Sequence, residues 1–365
     1  MKILRNYVIK EFLGPLIGSL LVLTFVMILG NLVKIADLVI NKGVDVLSVM
    51  KLFMFMMPAL LTYTVPIATL IAVLLSLGRL SGDNEIVTMR ASGINLAHIV
   101  IPLLVIGSII SLVLLIFNDR IVPYAHFAQR KTLVEVGTKN PAAALEPGIF
   151  INSFDKYILF IYAIDGNKLQ NIRIYEPQGE DKPTRLIIAR RGEFISLPEN
   201  NIIKLKLIDG TADEPDPNNP SNFYKLNFKT YFMTLNLAQA QSKENVLKKP
   251  KDMTIRELEA EMRALRSQKI DPSPLATEIH KKISLAFSCL VFILLGMPMA
   301  VITHRREKSI NFGIAFLIVG VYYLLLLGSE ALSRQGYLDP QFALWIPNTL
   351  FGLLGGFLTY KLCAY

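Results

Sequence analysis

Six separate apolar stretches, at residues 12–33, 49–77, 96–117, 283–302, 312–328 and 342–362, constrain this chain more than any other feature. Each approaches or exceeds the roughly 20 residues that a helix needs to cross the hydrocarbon core of a bilayer. Only helices and closed barrels satisfy their backbone hydrogen bonds inside lipid, and runs this long read as helices. Composition agrees: 52% of the 365 residues are hydrophobic and 18% charged, with a mean hydropathy of +0.44, too apolar for an ordinary soluble domain. The expected fold class is a polytopic α-helical membrane protein of six transmembrane helices. Lys2, Arg5 and Lys10 before the first stretch are also how a signal peptide begins, but the stretch is too long and lacks a small-residue cleavage site, so it reads as a retained helix.

The charges give an orientation. The net charge is +9, yet Lys and Arg do not gather on one basic face and no nucleic-acid motif accompanies them, so no nucleic-acid partner is expected. In the short loops, Lys2, Arg5, Lys10, Arg79, Arg90, Arg305, Arg306, Lys308 and Lys361 fall on one side, which the positive-inside rule makes cytoplasmic. Lys34, Lys42, Arg334 and the long polar middle fall on the other. Both termini are thus expected inside and the middle segment outside. Pro58, Pro66 and Pro298 interrupt predicted spans, where they read either as ordinary transmembrane prolines or as hinges.

The chain divides into 1–117, 118–282 and 283–365. The middle segment alternates in the manner of strands at 148–152, 157–164, 171–175, 185–196, 202–208 and 223–235, with Asp165-Gly166 and Asp209-Gly210 as hairpin turns and a loop at 215–222. Short strands without intervening helices predict an inserted β domain, a sandwich, jelly roll or partly open barrel. It contains neither Cys289 nor Cys363, so strand pairing and burial must hold it. Thr254 and Glu257 fit a capping box that opens a short amphipathic helix at about 254–268, lying on the membrane surface or packing on the β domain.

Catalytic chemistry is sparse. No phosphate-binding loop is present, so ATP hydrolysis is not expected in this chain. His98, His126, His280 and His304 lie far apart without metal-ligand spacing, and no nucleophile, base and acid stand together. No cofactor, metal or catalytic residue is expected. An ion-coupled carrier is disfavoured because the predicted spans hold almost no ionisable residues; a membrane-anchored sensor or scaffold is the alternative.

One loop is more structured than a connector. In residues 79–93, Asp83 can cap a short helix at about 83–93, Glu85 suits its positive end, Ile86 and Met89 share a face, and Gly93 can end it. That face would rest on the inner leaflet or dock into a partner's groove.

Together with the order of three spans, β domain and three spans, the segments Gly78-Arg79-Leu80-Ser81, Glu85, Met89-Arg90-Ala91-Ser92-Gly93, Asn140-Pro141-Ala142-Ala143, Gly148-Ile149-Phe150 and His280-Lys281-Lys282-Ile283-Ser284-Leu285-Ala286-Phe287 resemble the lipopolysaccharide-export permeases LptF and LptG (the YjgP/YjgQ family). The resemblance covers essentially the whole chain, and residues 140–143 lean towards the LptF type. It implies an ABC-type transporter in the bacterial inner membrane: two homologous permease subunits, a separate cytoplasmic ATPase dimer, and a periplasmic jelly roll that passes lipopolysaccharide to bridge proteins. It implies that the helix carrying Glu85, Ile86, Met89 and Arg90 couples to the ATPase. It also implies that Lys34 and Lys42 meet lipid phosphates, although snorkelling lysines explain their position equally well.

Overall fold

The computed structural model describes residues 2–40, 44–139, 148–154, 157–165, 168–177, 184–197, 202–216, 219–236, 248–302 and 308–364. The family-like segment Asn140–Ala143 therefore lies outside the described residues. The chain forms two compact units, one of Met1–Gly30, Met56–His126 and Lys249–Tyr365, the other of Asn31–Phe55 and Phe127–Lys248.

The helices run α1 (Lys2–Ile40), α2 (Val46–Gly82), α3 (Glu85–Ala91), α4 (Ala97–Ile116), a π-helical turn (Phe117–Ile121), α5 (Val122–Lys139), α6 (Ile255–Ser267), α7 (Ser273–Ile302), α8 (Lys308–Arg334), α9 (Pro340–Ala343) and α10 (Ile346–Ala364). Six helical segments among the described residues are long and apolar enough to cross a membrane, and each contains one of the six windows or nearly all of it. α2 runs unbroken through Pro58 and Pro66, and α7 through Pro298.

In the first unit, α7 lies against several neighbours. At Gly355 of α10 a Cβ would stand 2.8 Å from the Leu295 nitrogen of α7, so the two backbones touch, the close approach that small residues allow between helices in lipid. Lipid competes with apolar contacts, so polar ties and tight packing matter more there. The Tyr322 hydroxyl of α8 donates to Asn348 Oδ1 of α10 at 2.9 Å, Asn348 Nδ2 donates to the Ser284 carbonyl of α7 at 2.9 Å, and the Ser284 hydroxyl donates to the Leu344 carbonyl at 2.6 Å. The Tyr322 ring meets Phe292 and Phe351 edge-on at 4.8 and 5.7 Å.

Two expectations are corrected here. The third helix does not stop at Phe117: it passes through the π turn into α5 and reaches Lys139. Apolarity ends at Asn118, but the backbone stays helical because the polar side chains find partners: Asn118 Oδ1 accepts from Thr62 at 2.9 Å, Asn118 Nδ2 donates to the Lys282 carbonyl at 3.3 Å, and Asp119 accepts from the Ile255 N–H at 2.7 Å. The second correction concerns α6. Its capping box is present, with the Glu257 N–H donating to the Thr254 hydroxyl at 3.3 Å and the Thr254 N–H to Glu257 at 2.8 Å. Its apolar stripe, however, packs on the first turns of α7, Leu258 against Leu275 and Ile279. At the start of α7 the Ser273 hydroxyl and N–H hold the Asp271 carboxylate below its usual range.

The second unit contains one six-stranded antiparallel sheet: β1 (Phe150–Phe154), β2 (Tyr157–Asp165), β3 (Lys168–Glu176), β4 (Arg185–Leu197), β5 (Ile202–Asp216) and β6 (Asn219–Asn236), in sequential order. This is a meander; the crossed connections of a strict jelly roll do not occur among the described strands. Its inner face is built by alternation, with Leu159, Ile161, Ile172, Ile174, Ile187, Leu205 and Leu207 fully buried. Asp165 pairs with Lys168 as a hairpin requires, with Gly166 outside the described residues. Asp209-Gly210 is not a turn but the middle of β5. Asp209 adopts φ 55°, and at Gly210 a Cβ would stand 2.4 Å from both the Ile188 carbonyl oxygen and the Phe228 ring. The pair kinks the strand while letting an aromatic ring cover it. Asn171, at φ 50°, lies on the same transverse row two strands away, with Arg190 between. The expected loop at 215–222 is also shorter, since Asp216 pairs with Asn219.

Candidate functional site

α1, α2 and α8 enclose a cleft of about 1040 Å³, at the upper end of the range of roughly 300–1,000 Å³ typical of small-molecule sites. Val22, Leu23, Ile67, Ile71, Leu75, Phe316 and Val319 make its walls apolar. Its two charged residues, Glu11 and Arg79, lie at the end nearest α3 with Ser76 and Asn311, while Ser19, farther along α1, turns its hydroxyl to the Leu16 and Ala68 carbonyls. Such a space accepts hydrocarbon and offers charge at one end only.

α3 sits at that end. It follows Asn84, which takes the left-handed conformation at φ 60°, so Asn84 rather than Asp83 holds the N-cap position. Gly93, at φ 79°, closes the helix with its N–H on the Arg90 carbonyl. Ile86 is 2% exposed within the core of its own unit and Met89 packs beside it. The stripe expected to meet a partner or the leaflet thus seats α3 on its own bundle. Spacing revealed the apolar stripe but could not reveal what covers it. Val87, Thr88, Arg90 and Ala91 remain exposed. Arg90 donates to the Leu362 carbonyl at 2.6 Å, tying α3 to the last turns of α10. Glu85 is half-buried and lies 2.8 Å from the Tyr7 hydroxyl.

The opposite end of the bundle holds a charged cluster that sequence reading missed. Glu330, 8% exposed, accepts from Lys281 at 2.8 Å and from Arg334 at 2.6 Å; Glu278 lies 4.0 Å from Arg334. Lys282 is buried and donates to the Met253 carbonyl, and Asp252 pairs with His126 at 2.8 Å. These groups lie just outside the apolar windows, so the expectation of almost no ionisable residues holds for the windows but does not extend to the full lengths of α7 and α8. The connection before α6 reaches two of them, Met253 accepting from Lys282 and Asp252 pairing with His126. The network also opens onto a cavity of about 250 Å³ lined by Thr62, Tyr63, Asn118, His126, Lys251 and Glu278 among others. Lys34 belongs to α1, but its side chain, like Lys42 as a whole, lies outside the described residues.

Six helices among the described residues that are long and apolar enough to cross a membrane, three of them enclosing an apolar cleft, together with an inserted antiparallel sheet, are the frame of a polytopic membrane protein with room for an apolar cargo. The model of the family "Lipopolysaccharide export system permease LptF/LptG" matches residues 6–361. The chain belongs to this family. It is similar to the lipopolysaccharide export system permease protein LptF of Escherichia coli, 22% identical over 356 residues that cover 96% of this chain and 92% of that protein, and the LptF of Shigella flexneri matches equally. An uncharacterized protein of Rickettsia prowazekii is 25% identical over 236 residues, 64% of each chain. The role that follows is that of a lipopolysaccharide export permease of the inner membrane, a transport component rather than a catalytic one.

Proposed function

We propose that the chain is one of two homologous permease subunits that extract lipopolysaccharide from the inner membrane, driven by a separate cytoplasmic ATPase dimer. α3 is the docking element for that ATPase, through Glu85, Arg90, the exposed Val87 and Ala91 and the part of Met89 left accessible beside the core, with Ile86 as its internal anchor. Both termini and α3 lie in the cytoplasm; the sheet lies in the periplasm and passes lipid to jelly-roll bridge proteins. The observation that carries this reading is the apolar cleft of α1, α2 and α8 with its charges confined to the α3 end. The short-loop Lys and Arg residues support the orientation. A sensor or scaffold would need no such cleft and is not favoured.

Affinity purification from mild detergent tests the assembly. A second permease and an ATPase should co-purify, and a photocrosslinker attached at Ser92→Cys should trap the ATPase. Crosslinks from Ser92 only to periplasmic proteins would overturn both the docking and the orientation.

Lys34 and Lys42 are proposed to meet lipid phosphates at the outer end of the first span. Each charge-assisted contact contributes about 1–3 kcal/mol. Crosslinking of lipopolysaccharide beside position 34 should therefore fall on dephosphorylating lipid A, and fall similarly in Lys34→Gln/Lys42→Gln. Equal crosslinking in wild type and variant, with either lipid, would leave snorkelling as the explanation.

A further inference from the structure

The Glu85 carboxylate is held by its own chain. The Tyr7 hydroxyl of α1 lies 2.8 and 3.1 Å from its two oxygens. Arg79 Nη2 of α2 donates to the same hydroxyl at 3.0 Å and stands 2.8 Å from Glu11 Oε2 of α1. Glu11 and Arg79 in turn line the α3 end of the cleft. A phenol carries one proton and can also accept. Tyr7 thus donates towards the carboxylate while accepting from the guanidinium, and one side chain joins both charges. We propose that Tyr7 and Arg79 are positioning residues that tie α3 to the cleft, so that movement imposed on Glu85 reaches the Glu11–Arg79 ion pair where the cleft closes.

The inference rests on the reading of α3 as a docking helix and goes further, since it gives the docked carboxylate a route to the lipid space. Two physical points favour a relay over a simple brace. Charge-assisted bonds are directional, so displacing Glu85 changes what Tyr7 and then Arg79 can hold. Arg79 is 47% exposed and Glu11 27%; ion pairs this wet add little to stability. A link that stabilises little can be broken and remade within a transport cycle without unfolding its helices.

The test uses the complete complex in proteoliposomes, reading ATP hydrolysis and lipopolysaccharide moved per ATP for Tyr7→Phe, Glu11→Gln and the double variant. Tyr7→Phe keeps the ring and removes only the hydroxyl. Assembly and ATP hydrolysis should stay near wild type, while lipid moved per ATP should fall about tenfold, the effect of losing one hydrogen bond to a charged group. Glu11→Gln should fall comparably, and the double variant no further than the worse single one, because all three cut one chain. If Tyr7→Phe does not assemble, Glu11→Gln alone carries the same expectation. A wild-type ratio in the assembled single variants, or losses that multiply in the double, would overturn the relay and leave docking intact. Failure of the wild-type chain to bind an ATPase would instead overturn the docking reading itself.

Discussion

Glu85→Lys is expected to abolish lipopolysaccharide transport while the chain still inserts and folds. The position is at the first turn of α3, where a carboxylate suits the helix dipole and an ammonium opposes it. Reversal also sets a cation beside the Tyr7 hydroxyl, which already accepts from Arg79, in place of the anion that Tyr7 holds. At a docked interface, losing one partner of a close charge contact costs about 2–5 kcal/mol, and a like charge adds repulsion. Transport should drop well below a tenth of wild type, and recovery of the ATPase with the purified permease should drop with it. Glu85→Gln, which keeps the shape and can still accept from Tyr7, should lose less. Normal assembly and transport in Glu85→Lys would refute the docking role of α3.

The second large effect is expected at Glu330. Its carboxylate serves Lys281 and Arg334 together and is almost fully buried. Glu330→Ala leaves the Lys281 ammonium sequestered without its partner, the situation in which breaking a buried pair costs about 3–5 kcal/mol. The thermal transition in detergent should fall by several degrees or more, and yield from membranes should fall with it. Replacing the whole pair, as in Lys281→Met/Glu330→Leu, removes the stranded charge and should recover much of the loss. A Glu330→Ala chain as stable as wild type would mean that the charges of this cluster are solvated after all. The functional corollary is that Glu278, Lys281 and Glu330 lock α7 to α8 at one end, leaving the cleft wall of α8 to adapt towards the other.

What the sequence disclosed and what it hid divide along physical lines. Hydropathy windows located all six spanning helices because lipid imposes a composition on every turn. The strands of the sheet were legible because the buried face alternates, and the capping box of α6 because its two partners are three residues apart. The hidden features all depend on partners remote in sequence. Asn118 and Asp119 look like the end of a helix, yet Thr62, Lys282 and Ile255 reach them across the fold. Glu278 and Glu330 look like solvated ends of spans until the fold buries them and brings Lys281 and Arg334 to them. Asp209-Gly210 has the composition of a hairpin turn, and only the ring of Phe228 reveals it as a kink in a long strand. In α3 the stripe was visible and its destination was not, because a period cannot distinguish a partner's groove from the chain's own core. The Tyr7, Arg79 and Glu11 chain joins three residues whose individual positions carry no local signal.

The π turn between α4 and α5 has one more consequence. A π turn holds one residue more than the α-helical turn it replaces, and one residue of α-helix corresponds to about 100° of rotation. Deleting any single residue among 117–121 would restore regular α geometry and make the local backbone more comfortable. Because only the extra residue is removed, the helix beyond the turn would stay in phase and His126 would still face Asp252. What the deletion would lose is the aim of the turn itself, the contacts of Asn118 with Thr62 and Lys282 and of Asp119 with Ile255. Related chains that lack one residue here should therefore keep the course of the long helix and give up these polar ties.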